Sequence, residues 1–279
     1  MSTFRILSAK FDQKSIIAWI TATVLIFFLC VISTMDTLRV VPKPGMSFVQ
    51  MYLLSMSLWL NLIFVYSIFL IFLTSDAYQN KDAWSRNLLT RAGNRKNWLA
   101  AHILYLSIFS FYIVFVSLVS YYLSSILFLD PKLLLSNNWN NLSLMKNTFP
   151  DVFVWNWSPF KSISVFSLLL FLRFLFISMV VFCINLTQKK RQLGFVFPLL
   201  LGLAERKCDD LFPALASYTI MPFDHTVLSG KTSLITGLVQ SRVSIGTSLL
   251  YWGGLISLTV LWAYAVSTRK DFAMLEDDR

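Results

Sequence analysis

Six apolar runs constrain this chain more than any other feature. They occupy residues 16–34, 51–74, 99–129, 163–186, 193–204 and 248–267. As helix, about 20 apolar residues cross the ~30 Å hydrocarbon core of a bilayer. Five of the runs have 19 residues or more. A water-soluble domain of 279 residues cannot hide a composition that is 56% hydrophobic and 16% aromatic, with 25 Phe, because its surface must be covered largely by polar groups. A transmembrane barrel would show short alternating strands, and none is visible. The expected fold is therefore an all-α integral membrane protein with six transmembrane helices.

Charge then fixes the expected orientation. The net charge of +10 could mark a nucleic-acid binder, but the basic residues gather at the ends of apolar runs. That is the pattern of the positive-inside rule, so no nucleic-acid partner is expected. With both termini cytoplasmic, the inner segments (1–15, 75–98, 187–192, 268–279) hold 14 Lys and Arg over 57 residues. The outer segments (35–50, 130–162, 205–247) hold 9 over 92. A five-span chain would place the basic start of the 268–279 tail outside, against the rule. The N-terminus lacks a small-residue cleavage site, so the first span is expected to stay. Cys30, Cys183 and Cys208 form no CxxC or Cys/His set, and no metal site or disulfide framework is expected. The compartment expected is the plasma membrane, with lipid as the surrounding partner.

Between the spans, residues 1–15 place Phe4, Leu7 and Phe11 at i, i+3, i+7, which fits an amphipathic helix lying on the membrane. An unordered basic tail is the other reading. Pro42, Pro44 and Gly45 break helix after span one. Asn61 inside span two suits interhelical packing or a polar path. Span three exceeds what a bilayer needs and should tilt or project. Trp139, Trp155 and Trp157 suit an ordered segment at the interface. Sequons at Asn141, Asn156 and Asn185 matter only in a eukaryotic secretory setting. Span five, at 12 residues, is only ~18 Å as helix. Either its flanking Lys and Arg stems snorkel, or it is a re-entrant half-helix. Pro213 and Pro222 punctuate the next stretch, so a broken or re-entrant region is expected between helices five and six.

Residues 75–98, SDAYQNKDAWSRNLLTRAGNRKNW, are the longest strongly basic polar segment between apolar runs. Trp84, Leu88 and Ala92 share a helix face at i, i+4, i+8, and Gly93-Asn94 is a turn signal. Trp98 reads as an interfacial anchor, and His102 stands one turn into span three. The Trp84 face must bury itself in the headgroup region or in a groove on a soluble partner. Arg173 lies mid-span, where a charge costs a few kcal/mol even on lenient insertion scales. It serves either as an interhelical clamp, to carbonyls or to an acid such as Glu205, or as part of a substrate path. Gly230-Lys231-Thr232 imitates the end of a phosphate-binding loop, but His225 stands where the required earlier glycine belongs. Glu205, Asp209 and Asp210 sit together without a nearby His, and read first as a charged boundary of span five.

The run SRNLLTRAGNRKNWLAAHIL resembles the cytoplasmic loop that follows span two in permeases of ABC-2-type transporters. LWAYAVSTRKDF, at the end of span six, resembles their closing pattern of an aromatic-rich helix, a basic residue and Asp-Phe. The order of elements also agrees. The likeness extends over nearly the whole chain as topology and over two short stretches as motif. It implies a permease subunit of an exporter whose ATPase, with its ATP and Mg, is a separate chain. Trp84, Arg86, Leu88, Arg91 and Arg95 would couple to that ATPase. A second permease subunit, identical or related, would complete the path. Aromatic spans with few interior charges suit an amphipathic or hydrophobic substrate, such as an antimicrobial peptide. Two other classes stay open: a non-transport membrane scaffold or assembly protein, and a membrane-embedded enzyme built on Glu205, Asp209, Asp210 and Arg173.

Overall fold

The computed structural model describes residues 13–40, 47–57, 95–129, 158–187, 196–201, 203–204, 226 and 245–269. Five helices lie among them: α1 Gln13–Val40, α2 Phe48–Ser57, α3 Arg95–Phe128, α4 Pro159–Thr187 and α5 Ile245–Arg269. Residues 196–201 and 203–204 are helical as well. Four segments are long and apolar enough to cross a membrane: Trp19–Arg39, Lys96–Phe128, Pro159–Thr187 and Ile245–Ser267. The described chain is thus helical, with membrane character. Its four long helices fall on the expected spans one, three, four and six. Of span two the structure describes 51–57, as part of α2, and of span five 196–201 and 203–204. The expected amphipathic helix at 1–15 lies outside the described residues except for 13–15, which form the first turn of α1.

The helices are longer than the apolar runs that predict them. α1 continues through 35–40, expected to be outside, because nothing breaks helix before Pro42. Asp36 and Arg39 pair at 3.3 Å on its exposed side, and Thr37 bonds back to the Ser33 carbonyl at 2.8 Å. α4 starts at Pro159 rather than 163. Proline at the first helical position has no N–H to leave unpaired, and Ser158 Oγ accepts from Lys161 N at 3.3 Å. α3 has 34 residues, or ~51 Å, which agrees with its expected excess over the bilayer. α2 begins with a capping box. Ser47 N donates to Gln50 Oε1 at 2.8 Å, and Gln50 N donates to Ser47 Oγ at 3.4 Å. Both residues are fully buried, so this reciprocal pairing settles backbone and side-chain groups that water cannot reach.

Side-chain contacts fix the directions of the helices. Trp19 meets Phe109 and Tyr112, while Thr34 meets Ser124, so α1 and α3 run parallel. Ser110 faces Ser178 and His102 faces Phe182, so α3 and α4 run antiparallel. Phe176 meets Trp252, and Cys183 Sγ donates to the Thr259 carbonyl at 3.5 Å, so α4 and α5 run parallel. One end of the bundle, the near end, therefore gathers the starts of α1 and α3 and the ends of α4 and α5. Both α4–α5 contacts keep an offset of 76 residues. Ile245 accordingly stands level with Leu169, about 15 Å short of the far end of α4.

One core joins residues of all five helices, from Ile26 and Cys30 through Tyr52, Phe109 and Phe166 to Trp252. In lipid such packing and hydrogen bonds hold helices together, since lipid tails are as apolar as the side chains. Hydroxyls are satisfied locally: Thr23, Ser110, Ser117 and Ser178 donate to carbonyls four residues back at 2.7–2.9 Å. Ile17, Ile20, Val24, Phe28, Ile32 and Met35 form an exposed apolar stripe along α1. A surface of that kind suits lipid and would be a liability in water.

Candidate functional site

α4 is the most enclosed of the candidate spans, and Arg173 lies at its midpoint. Its side chain is 1% exposed. Nη1 donates to Thr226 Oγ1 at 3.4 Å, and Thr226 is itself fully buried. The planar guanidinium fork presents five donors. The site is therefore a fixed cation inside an apolar bundle, able to hold carbonyl, hydroxyl or anionic oxygens. The expected 205–247 outer segment contributes Thr226 to the midpoint of α4, well away from the far end. Glu205, the acid named as an alternative clamp, lies outside the described residues, as do Asp209 and Asp210.

A second polar line runs between the helices. Tyr112 donates its hydroxyl to the Trp19 carbonyl at 2.9 Å and also meets Thr23 Oγ1. Thr34 pairs with Ser124 at 2.9 Å, and Thr37 with Ser55 at 3.1 Å. Tyr52 reaches Ser167 at 3.1 Å. These neutral contacts tie α1 to α2 and α3, and α2 to α4, and among the described residues they leave Arg173 as the buried charge.

At the near end the rings of Trp98, His102 and Phe182 cluster, with His102 stacked on Phe182 and Trp98 tilted against both. Trp98 and His102 lie 4.2 Å apart, and His102 and Phe182 5.3 Å. Both Trp98 and His102 are 6% exposed. Trp98, expected to be an interfacial anchor, is instead enclosed by protein, because Phe182 of α4 covers it. The His102 ring packs under it, and its Nδ1 lies 2.9 Å from the Trp98 carbonyl. Nearby, Asn185 Oδ1 and Nδ2 are buried without a hydrogen-bond partner among the described residues.

Of the expected coupling residues, Trp84, Arg86, Leu88 and Arg91 lie outside the described residues, as does Asn61. Arg95 opens the first turn of α3 at the near end. Among the described residues no three His, Cys, Asp or Glu converge. Sequence reasoning missed Thr226 and the buried amide of Asn185. A neutral threonine in a polar segment carries no signal, and Asn185 stood out only as a sequon. The Ser47-x-x-Gln50 box was readable in advance. No protein-family model, curated protein or solved structure matches the chain.

Proposed function

We propose that this chain is the membrane permease subunit of an ATP-driven exporter, acting with an ATPase on a separate chain and a second permease subunit. The observation that carries the reading is the common near end. The starts of α1 and α3 and the ends of α4 and α5 emerge there together. These are the attachment points of the four segments densest in Lys and Arg. A soluble motor would find the 75–98 loop, the 187–192 turn and both termini on one side. In this reading the near end is cytoplasmic and the membrane is the plasma membrane.

Chain direction supports six crossings. Because α1 and α3 are parallel, the chain joining them has to come back to the near end, as span two would. Because α4 and α5 are parallel, the chain from Thr187 must regain the far side before Ile245. Residues 196–204 suit that crossing: Phe197 and Leu201 pack on the core, while Val196, Leu200 and Leu203 are exposed. Burial of Thr226 at the level of Arg173 supports a re-entrant region between the fifth and sixth helices. Arg173 then stands at the inner limit of that region, where a polar group of an amphipathic substrate would pass. Alternating access would come from rocking of the helices as the partner binds and hydrolyses ATP.

The coupling face of the loop gives the test. Replacing Trp84 and Leu88 by Asp should abolish co-purification of the ATPase while leaving the chain in the membrane. Undiminished co-purification of the ATPase with the double variant would refute the assignment of this loop.

A further inference from the structure

Trp98 is the last residue of the 75–98 segment and lies in the first turn of α3. Arg95 and Lys96 precede it, and Lys96 is exposed. In such a setting a tryptophan ordinarily sits in the headgroup layer, yet Trp98 is enclosed by protein. His102 holds it twice. The two rings lie 4.2 Å apart, and Nδ1 lies 2.9 Å from the Trp98 carbonyl. A carbonyl only accepts, so Nδ1 is the donor. From α4, Phe182 stacks on His102 at 5.3 Å and meets Trp98 at 6.0 Å. Trp98 and Phe182 belong to a second core, separate from the one that joins all five helices. Among the described residues its buried members come from α3, α4 and α5 alone, Trp98, Met179 and Ala263 among them. Cys183, next to Phe182, donates to the Thr259 carbonyl of α5. Arg173 stands nine residues back along α4 from Phe182, or about 14 Å.

We infer that Trp98 is a positioning residue: with His102 and Phe182 it forms the joint through which movement of the 75–98 segment displaces α4, and with it Arg173. The inference rests on the permease reading. Trp98 belongs both to the segment that would meet the ATPase and to the core shared by α3, α4 and α5. Close-packed side chains transmit a displacement rather than absorb it. Sliding α4 along α3 would part Phe182 from both rings, so the start of α3 and the end of α4 travel together. The side chains that would dock the ATPase, Trp84 and Leu88, stand ten residues or more earlier in the chain. Docking and transmission therefore fall to different residues and can be separated by mutation.

The test uses the full chain with its ATPase in lipid nanodiscs, comparing wild type with Trp98→Phe, Trp98→Leu, Phe182→Leu and the Trp98→Leu, Phe182→Leu pair. All should still co-purify with the ATPase. Permease-stimulated ATP hydrolysis should fall about fivefold or more in Trp98→Leu, and Trp98→Phe should recover most of it. The pair should be no worse than the weaker single variant, because both break one link. Spin labels at Ala100→Cys and Thr187→Cys, both exposed positions, in a chain with Cys208→Ser, read the joint directly. Their separation should not respond to ATP and vanadate with Trp98 in place, and should respond in Trp98→Leu. A separation altered by Trp98→Leu equally with and without nucleotide would make Trp98 a structural residue and overturn the inference, as would full stimulation by that variant. If Trp98→Leu does not insert, Phe182→Leu puts the same question from the side of α4. Failure of wild type to recruit any ATPase would count against the permease reading instead, so the two ideas fall by different results.

Discussion

Arg173 makes the energetics of this protein visible in one side chain. A buried guanidinium must be fed acceptors, and Thr226 Oγ1 supplies one at 3.4 Å. Thr226→Val keeps the shape and deletes the acceptor. Leaving a charged donor short of a partner costs about 1–3 kcal/mol. Thermal unfolding in nanodiscs should show that loss as a lower Tm, with secondary structure kept. An unchanged Tm would mean that other acceptors fully replace the threonine. Half of this pair was legible beforehand. An arginine inside an apolar run announces itself through its insertion cost, whereas its neutral partner lies 53 residues away and announces nothing. Trp98 and His102 teach the same lesson. An amphipathic ring suits a headgroup layer and a protein core equally, and only the position of Phe182 decides between them.

Helices were readable from runs of apolar residues, but their ends obeyed local chemistry. Pro159 after Ser158 and the Ser47–Gln50 box both mark starts that hydropathy alone sets a few residues late. The breaker Pro42 was likewise a better guide to the end of α1 than the fall in hydropathy after Thr34. α5 illustrates what remains hidden. Its only fully buried large side chain is Trp252, and around it run Gly253 and Gly254, where an added Cβ would meet nothing within 4 Å. Glycine inside a helix is less stable than alanine by about 0.5–1 kcal/mol. The Gly253→Ala, Gly254→Ala pair should therefore raise the Tm of the isolated permease. A drop would reveal that this face is packed against something. No periodicity could have told these glycines from packing glycines, since both occur at the same spacing in membrane helices.

For the molecule as a whole, the decisive facts are directional. Run lengths suggested six spans, but the weakest of them, at 193–204, could not be judged by length. Parallel packing of α4 with α5 bears on it differently, through the path the chain must take. That path yields a chemical test. Cys30 and Cys183 are fully buried, so a membrane-impermeant maleimide applied to intact cells should report on Cys208 alone. Labelling is expected, because in the proposed topology a fifth crossing delivers Cys208 to the outer side. Protection of Cys208 in intact cells, with labelling after permeabilisation, would return it to the inside and remove that crossing.

The apolar stripe of α1 also concerns the lipids. Ile17, Ile20, Val24, Phe28, Ile32 and Met35 line one exposed side of that helix, a surface that acyl chains cover and water does not favour. Whatever replaces the bilayer during purification has to cover the same line, so the choice of detergent becomes one of the conditions under which the bundle keeps its packing.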